Sequence, residues 1–110
     1  MGGMLQIQTF VIQFTRSLQP QLAAIEAKDA KFAEQLRRAL IAVGLNLGEG
    51  CGASGGSKRR AYRIARGEAS ELEMGLEMAV DLGYCALSRE QRESLQRVLA
   101  TLQKLAQPCR

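Results

Sequence analysis

Ser57–Gly83, SKRRAYRIARGEASELEMGLEMAVDLG, reads as one long helix, and its two apolar stripes decide the fold around it. Ala65, Ala69, Leu72, Leu76 and Ala79 recur at helical spacing on one side, and Met74, Met78 and Leu82 make a second stripe. Ser57 is a plausible N-cap and Gly83 a stop. A helix apolar on two sides needs more than one neighbour.

The neighbours are on either side in the chain. Upstream, residues 30–47 place Phe32, Leu36, Leu40, Val43 and Leu47 on one face, and the half ALIAVGLNLG is apolar nearly all round. Before that, residues 4–27 carry Ile7, Val11, Phe14, Leu18, Leu22 and Ile25 in a continuous stripe, with a kink or brief break expected at Pro20. Downstream, residues 88–107 open on a Ser88/Gln91 capping box and line up Leu95, Val98, Leu99, Leu102 and Leu105, before Pro108 ends the run. No strand pattern competes. The expected fold is all-α, an up-down-up-down four-helix bundle in one domain spanning residues 1–110. The surplus apolar stripes on the second and third helices imply self-association.

Composition narrows the function classes. The 110 residues are 46% hydrophobic and 24% charged, with no Trp and no apolar run of the roughly 20 residues needed to span a membrane. The start, MGGMLQIQ, carries neither a secretory signal nor a myristoylation pattern, so the cytoplasm is the expected compartment. Cys51, Cys85 and Cys109 are widely spaced and there is no His, which argues against a metal site and for reduced thiols. No cofactor is expected.

The net charge of +4 is concentrated at the start of the third helix, where Lys58, Arg59, Arg60, Arg63 and Arg66 precede the first acid, Glu68. Cations at a helix N-terminus oppose the macrodipole, at about 0.3–1 kcal/mol each when exposed. None has an acid three or four residues away to offset this. Arg59, Arg63 and Arg66 share one face, a row of guanidinium groups suited to a phosphate backbone, and Arg37 and Arg38 could extend it. RNA, DNA or another polyanion is the partner this suggests, bound without base reading, since Tyr62 is the one aromatic nearby. A structural alternative uses the acids that follow, Glu68, Glu71, Glu73, Glu77 and Asp81. The basic start of one copy could pair with the acidic stretch of the next, head to tail, and close a ring. A solvated charge run is the third reading.

Asn46 and Glu49 lie one turn apart at the end of the second helix, with Gly50 following. With no His or nucleophile nearby, they read as structural. Glu49 is expected to pair with Arg37 or Arg63, or to accept from the open N–H groups of the next helix, and Asn46 to tie the loop backbone. The glycine-rich joint at Gly50–Ser57 fails the phosphate-loop pattern, because Gly55 is followed by Gly56 rather than Lys and a helix precedes it. Met74 and Met78 read as packing.

These pieces resemble a known family in their order and spacing. Gln35-Leu36-Arg37-Arg38-Ala39, Asn46-x-x-Glu49-Gly50, the basic start of the third helix, Ala65-Arg66-Gly67, Glu71-Leu72 and Leu82-Gly83-Tyr84 are similar to the bacterial four-helix-bundle proteins of 23S ribosomal RNA intervening sequences. The accessory variability determinant of diversity-generating retroelements is a relative. The resemblance covers most of residues 5–107. It implies a homo-oligomeric ring, usually of five subunits, no catalytic activity, and binding of RNA or of an RNA-handling protein. The joint departs from the family pattern: GCGASGGS replaces a basic and aromatic stretch, and Cys51 stands where an aromatic is common.

Overall fold

The computed structural model describes residues 6–107, which form five helices and no strand. They are α1 (Gln6–Ser17), α2 (Gln19–Lys28), α3 (Ala30–Cys51), α4 (Gly55–Asp81) and α5 (Arg89–Ala106). Cys109 and the expected start at Met4 lie outside the described residues. α4 packs between α3 and α5, α1 touches both α3 and α5, and α2 lies on α3, so the helices close a circuit. At about 1.5 Å per residue α4 alone is about 40 Å long, close to the 44 Å length of the molecule.

The expected first helix is two. It breaks at Leu18, two residues before Pro20, which sits in the first turn of α2. Proline has no N–H to give the Arg16 carbonyl and its ring crowds that carbonyl, so the regular ladder lapses just upstream. Leu18 keeps near-helical angles, φ −87° and ψ −6°, and its N–H still reaches the Phe14 carbonyl at 3.2 Å. The chain bends without unwinding, so the apolar stripe survives. Val11, Phe14, Leu18, Leu22 and Ile25 are all buried.

One side chain holds the bend against α5. The Gln91 amide donates to the Ser17 carbonyl at 2.8 Å and to Gln21 Oε1 at 2.9 Å. Its oxygen accepts from the Ser88 N–H at 2.9 Å and from Gln21 Nε2 at 3.1 Å. Gln91 therefore closes the expected capping box and ties the break to it. Gln91→Glu keeps the acceptors of the box and loses both donors. It should cost about 1–2 kcal/mol in urea unfolding at neutral pH, and part of that should return near pH 4, where a protonated carboxyl regains one donor.

Other boundaries also moved. α3 runs to Cys51, past the expected stop at Leu47, because Gly48 and Gly50 remain helical. Asp29 caps its start, accepting from the Phe32 N–H at 3.0 Å. α4 starts at Gly55 with Ser54 rather than Ser57 at the N-cap, and the Ser54 side chain makes no capping bond. It ends at Asp81 with Leu82 as C-cap, and the expected stop Gly83, at φ +79°, lets the Tyr84 N–H reach the Ala79 carbonyl at 2.9 Å, while the Gly83 N–H meets the Val80 carbonyl at 3.0 Å.

The α3–α4 seam is made of small residues. Ala33, Ala39, Ala61, Ala65, Ala69 and Ala79 are buried, and two glycines receive large side chains. A Cβ on Gly50 would lie 2.5 Å from the Tyr62 ring, and one on Gly75 would overlap the Leu36 side chain. Gly50 thus has a packing role that its place in the sequence motif does not reveal.

Candidate nucleic-acid interface

The basic residues at the start of α4 sit on a helix whose inward face is fixed by Ala61, Tyr62, Ala65 and Ala69, all buried. That anchoring sets the azimuth of the intervening cations. Arg63 and Arg60 are exposed, and Lys58, Arg59 and Arg66 are half-buried. Arg59, Arg63 and Arg66 share one face by helical spacing, and Arg66 reaches α5, its Nη1 donating to Gln103 Oε1 at 2.9 Å. Further along the α4/α5 seam, Gln96 donates to Glu73 at 2.6 Å and Arg92 pairs with Glu77. Arg60 lies toward α3, one turn before Ile64.

Among the described residues, no carboxylate forms an ion pair with Lys58, Arg59, Arg60, Arg63 or Arg66. The acids of α4 lie farther along the helix and answer to other groups. Burial first, then the Glu71 carboxylate beside it, push the Glu68 carboxyl above its usual range, while the Arg38 guanidinium pulls it back. The first N–H groups of α4 also lack a side-chain cap, so the positive end of the helix dipole adds to the cations.

Of the expected extension through α3, Arg37 is committed to Glu26 of α2 at 2.7 Å, while Arg38 is exposed, forms no ion pair among the described residues and draws the Glu68 carboxyl down. Adjacent residues on a helix point about 100° apart, so they cannot both join a row on a neighbouring helix. Glu49 is exposed and forms no ion pair with Arg37 or Arg63 among the described residues. Asn46 donates to the Ala42 carbonyl of its own helix at 2.9 Å rather than to the loop. The Asn46, Glu49 and Gly50 motif is therefore not a polar cluster. Its constraint is steric and rests on Gly50.

Tyr62 is the residue whose role the sequence concealed. Its ring covers Gly50, and its hydroxyl donates to Cys51 Sγ at 3.7 Å. It is 2% exposed, which removes the one nearby aromatic from any base-stacking role. Burial chiefly, and then the bond to Cys51, push its phenol up to about 12. A folded-state value above the unfolded one favours the folded chain below the unfolded value of about 10, and that advantage goes as pH rises through the folded value. Stability should fall by about 2–3 kcal/mol between about pH 10 and pH 12. Denaturant melts of Tyr62→Phe should lack that part of the alkaline loss.

The described residues contain no group of three or more His, Cys, Asp or Glu placed to hold a metal ion, and none of the described helices is long and apolar enough to cross a membrane. The family model described as 23S rRNA-intervening sequence protein matches residues 6–107. A solved structure from Bacteroides thetaiotaomicron VPI-5482, a protein of unknown function from the S23 ribosomal protein family, has a similar fold. Its TM-score is 0.74 at 20% identity, over 93% of this chain and 99% of that one. No curated protein matches the chain. The match over residues 6–107, together with the motifs at Gln35–Ala39, Asn46–Gly50 and Leu82–Tyr84, places this chain in the 23S rRNA-intervening sequence protein family.

Proposed function

We propose that this protein is a non-enzymatic, homo-oligomeric four-helix-bundle protein, with five copies in a ring, that binds RNA or another nucleic acid through the arginine row opening α4. In this reading α1 and α2 act as one bent rod beside α3, α4 and α5, and the protein works in the cytoplasm.

The observation that carries it is charge without a counter-charge. Arg37, Arg89 and Arg92 each pair with a glutamate, while Lys58, Arg59, Arg60 and Arg63 pair with none among the described residues. Guanidinium groups stay protonated and donate in parallel pairs, which suits phosphate and gives no general base at neutral pH. The family description names 23S rRNA and the structural neighbour is assigned to a ribosomal protein family, which fits RNA as the polyanion. A ring would repeat the row and multiply a weak contact.

A scaffold or adapter role, including contact with an RNA-handling protein, is favoured by a separate observation. Ile41, Leu45, Met74 and Met78 are exposed on α3 and α4. The two readings are separated by titrating a homopolymeric RNA into the protein over a salt series. Affinity that falls steeply and linearly in log–log form supports the polyanion reading. No binding at low salt sinks it and leaves the adapter.

A further inference from the structure

We infer that the RNA-binding surface continues from α4 onto α5, where Gln103, Lys104 and Arg97 take phosphates next to those held by Arg59, Arg63 and Arg66. The inference rests on the RNA reading proposed above and names where a strand leaves α4. It starts from the hydrogen bond between Arg66 Nη1 and Gln103 Oε1 at 2.9 Å. A guanidinium only donates, so the oxygen of the Gln103 amide has to face it. The amide nitrogen is then turned away from Arg66, and it has no partner among the described residues. Gln103 is exposed, so that nitrogen is a donor open to solvent at the edge of the arginine row.

The register of the two helices carries the row further. Arg66 meets Gln103 and Glu73 meets Gln96, so α4 and α5 run antiparallel. Lys104 therefore lies level with the turn from Arg63 to Arg66, and Arg97 lies level with Leu72. Lys104 and Arg97 are two turns apart and share one face of α5, away from the buried Leu95, Val98 and Leu102. Both are exposed. From Arg59 to the level of Arg97 the cations follow about 20 Å of the bundle, enough for several successive phosphates.

Charge divides α5 in two. At its start Arg89 pairs with Glu93 and Arg92 with Glu77. Neither Arg97 nor Lys104 forms an ion pair among the described residues, and no Asp or Glu follows Glu93 in the sequence. The Arg97 guanidinium lies instead over the Phe10 ring of α1, 4.2 Å from its centroid. The ring holds the planar group in place and leaves its charge intact. Gln6, Thr9 and Gln13 line a depression with these two side chains, and α1 has no acid from Gln6 to Ser17. The cations of α5 are thus neutralised where they are far from the arginine row and left open where they adjoin it.

An RNA backbone fits this surface better than an acidic protein does. None of the exposed large apolar side chains among the described residues is on α5, whereas a protein interface of ordinary size buries an apolar centre. Cations with amide and hydroxyl donors are what phosphate and sugar require. Phe10 lies under Arg97 and Tyr62 is buried, so neither ring offers a face for a base.

The test compares two losses of charge from one helix. Arg97→Gln with Lys104→Gln strips the open end of α5, and Arg89→Gln with Arg92→Gln strips the paired start. Each is titrated with a homopolymeric RNA over a salt series, and thermal melts check that each folds. The first pair should lose about 10-fold in affinity at moderate salt, and its log–log slope should become shallower by about 1.4, at about 0.7 per phosphate. The second should stay within about twofold of the wild type with the same slope, since it removes no phosphate contact. Because Arg97 also rests on Phe10, Gln103→Glu is measured as well. It keeps the shape and the acceptor that Arg66 uses, loses the open donor, and should weaken RNA binding about 5-fold without lowering the melting temperature. Equal losses from the two pairs would reduce the effect to net charge and overturn the inference. So would wild-type affinity and slope in both Arg97→Gln with Lys104→Gln and Gln103→Glu, and the RNA reading would then stand on α4 alone if Arg59→Glu with Arg63→Glu still abolishes binding. A wild type that binds no RNA at low salt overturns both.

Discussion

Arg59→Glu combined with Arg63→Glu should lower the affinity for a homopolymeric RNA at least about 100-fold at moderate salt while leaving the fold intact. The two side chains are one turn apart, about 6 Å along α4, and neither has a carboxylate partner among the described residues. No internal ion pair is therefore lost on reversal, and the thermal melt should stay close to that of the wild type. Two phosphate contacts vanish and two repulsions replace them. The log–log salt slope should become shallower by about 1.4 for a single strand, from about 0.7 per phosphate. Arg37→Ala is the control, since that guanidinium is held by Glu26, and RNA affinity should not change with it. Equal losses from Arg37→Ala and the double reversal would mean that only overall charge matters. Retained affinity in the double variant would remove the row from the account.

Gly50→Ala should lower stability by about 2–3 kcal/mol, on the order of a 10 °C fall in melting temperature. The sign is what distinguishes it. In an open helix interior the same change gains about 1 kcal/mol, because alanine orders more easily than glycine. At Gly50 the new methyl would meet the Tyr62 ring at 2.5 Å. The ring is 2% exposed and enclosed by its neighbours, so it has nowhere to retreat. Gly67, helical and with nothing within 4 Å of a Cβ, gives the contrast. Gly67→Ala should stabilise by about 0.5–1 kcal/mol. A double-mutant cycle with Tyr62→Leu should show coupling, the cost of Gly50→Ala shrinking when the ring is gone. A Gly50→Ala variant as stable as Gly67→Ala would show that the seam has slack.

Much of this architecture was legible in the chain because periodicity reports burial directly. The stripes at Val11–Ile25, Leu36–Leu47, Ala65–Ala79 and Leu95–Leu102 are the core, and the Ser88/Gln91 box is formed. The second stripe, Met74, Met78 and Leu82, stands exposed, so the expectation that Met74 and Met78 pack is not met within this chain. What failed depended on neighbours that no local pattern specifies. Gly48 and Gly50 looked like a helix end, but both remain helical, and at Gly50 the close fit of Tyr62 calls for glycine. Asn46 looked free to reach a loop, yet the longer helix offered the Ala42 carbonyl first. Pro20 signalled a break, and the break falls two residues earlier because proline disturbs the turn before it. For the candidate site, spacing placed Arg59, Arg63 and Arg66 on one face. It could not show that Arg37 turns to Glu26, because a helical period defines a face and not what the face meets.

Gly50 against Tyr62 and Gly75 against Leu36 are separated by about 20 Å along α4. Two interlocks at that distance act like dowels between a pair of beams: one alone would stop sliding, and both together also stop twisting. The backbone that carries the basic residues is therefore held in place relative to α3, and a polyanion bound there as proposed would have side chains, but not helices, to order.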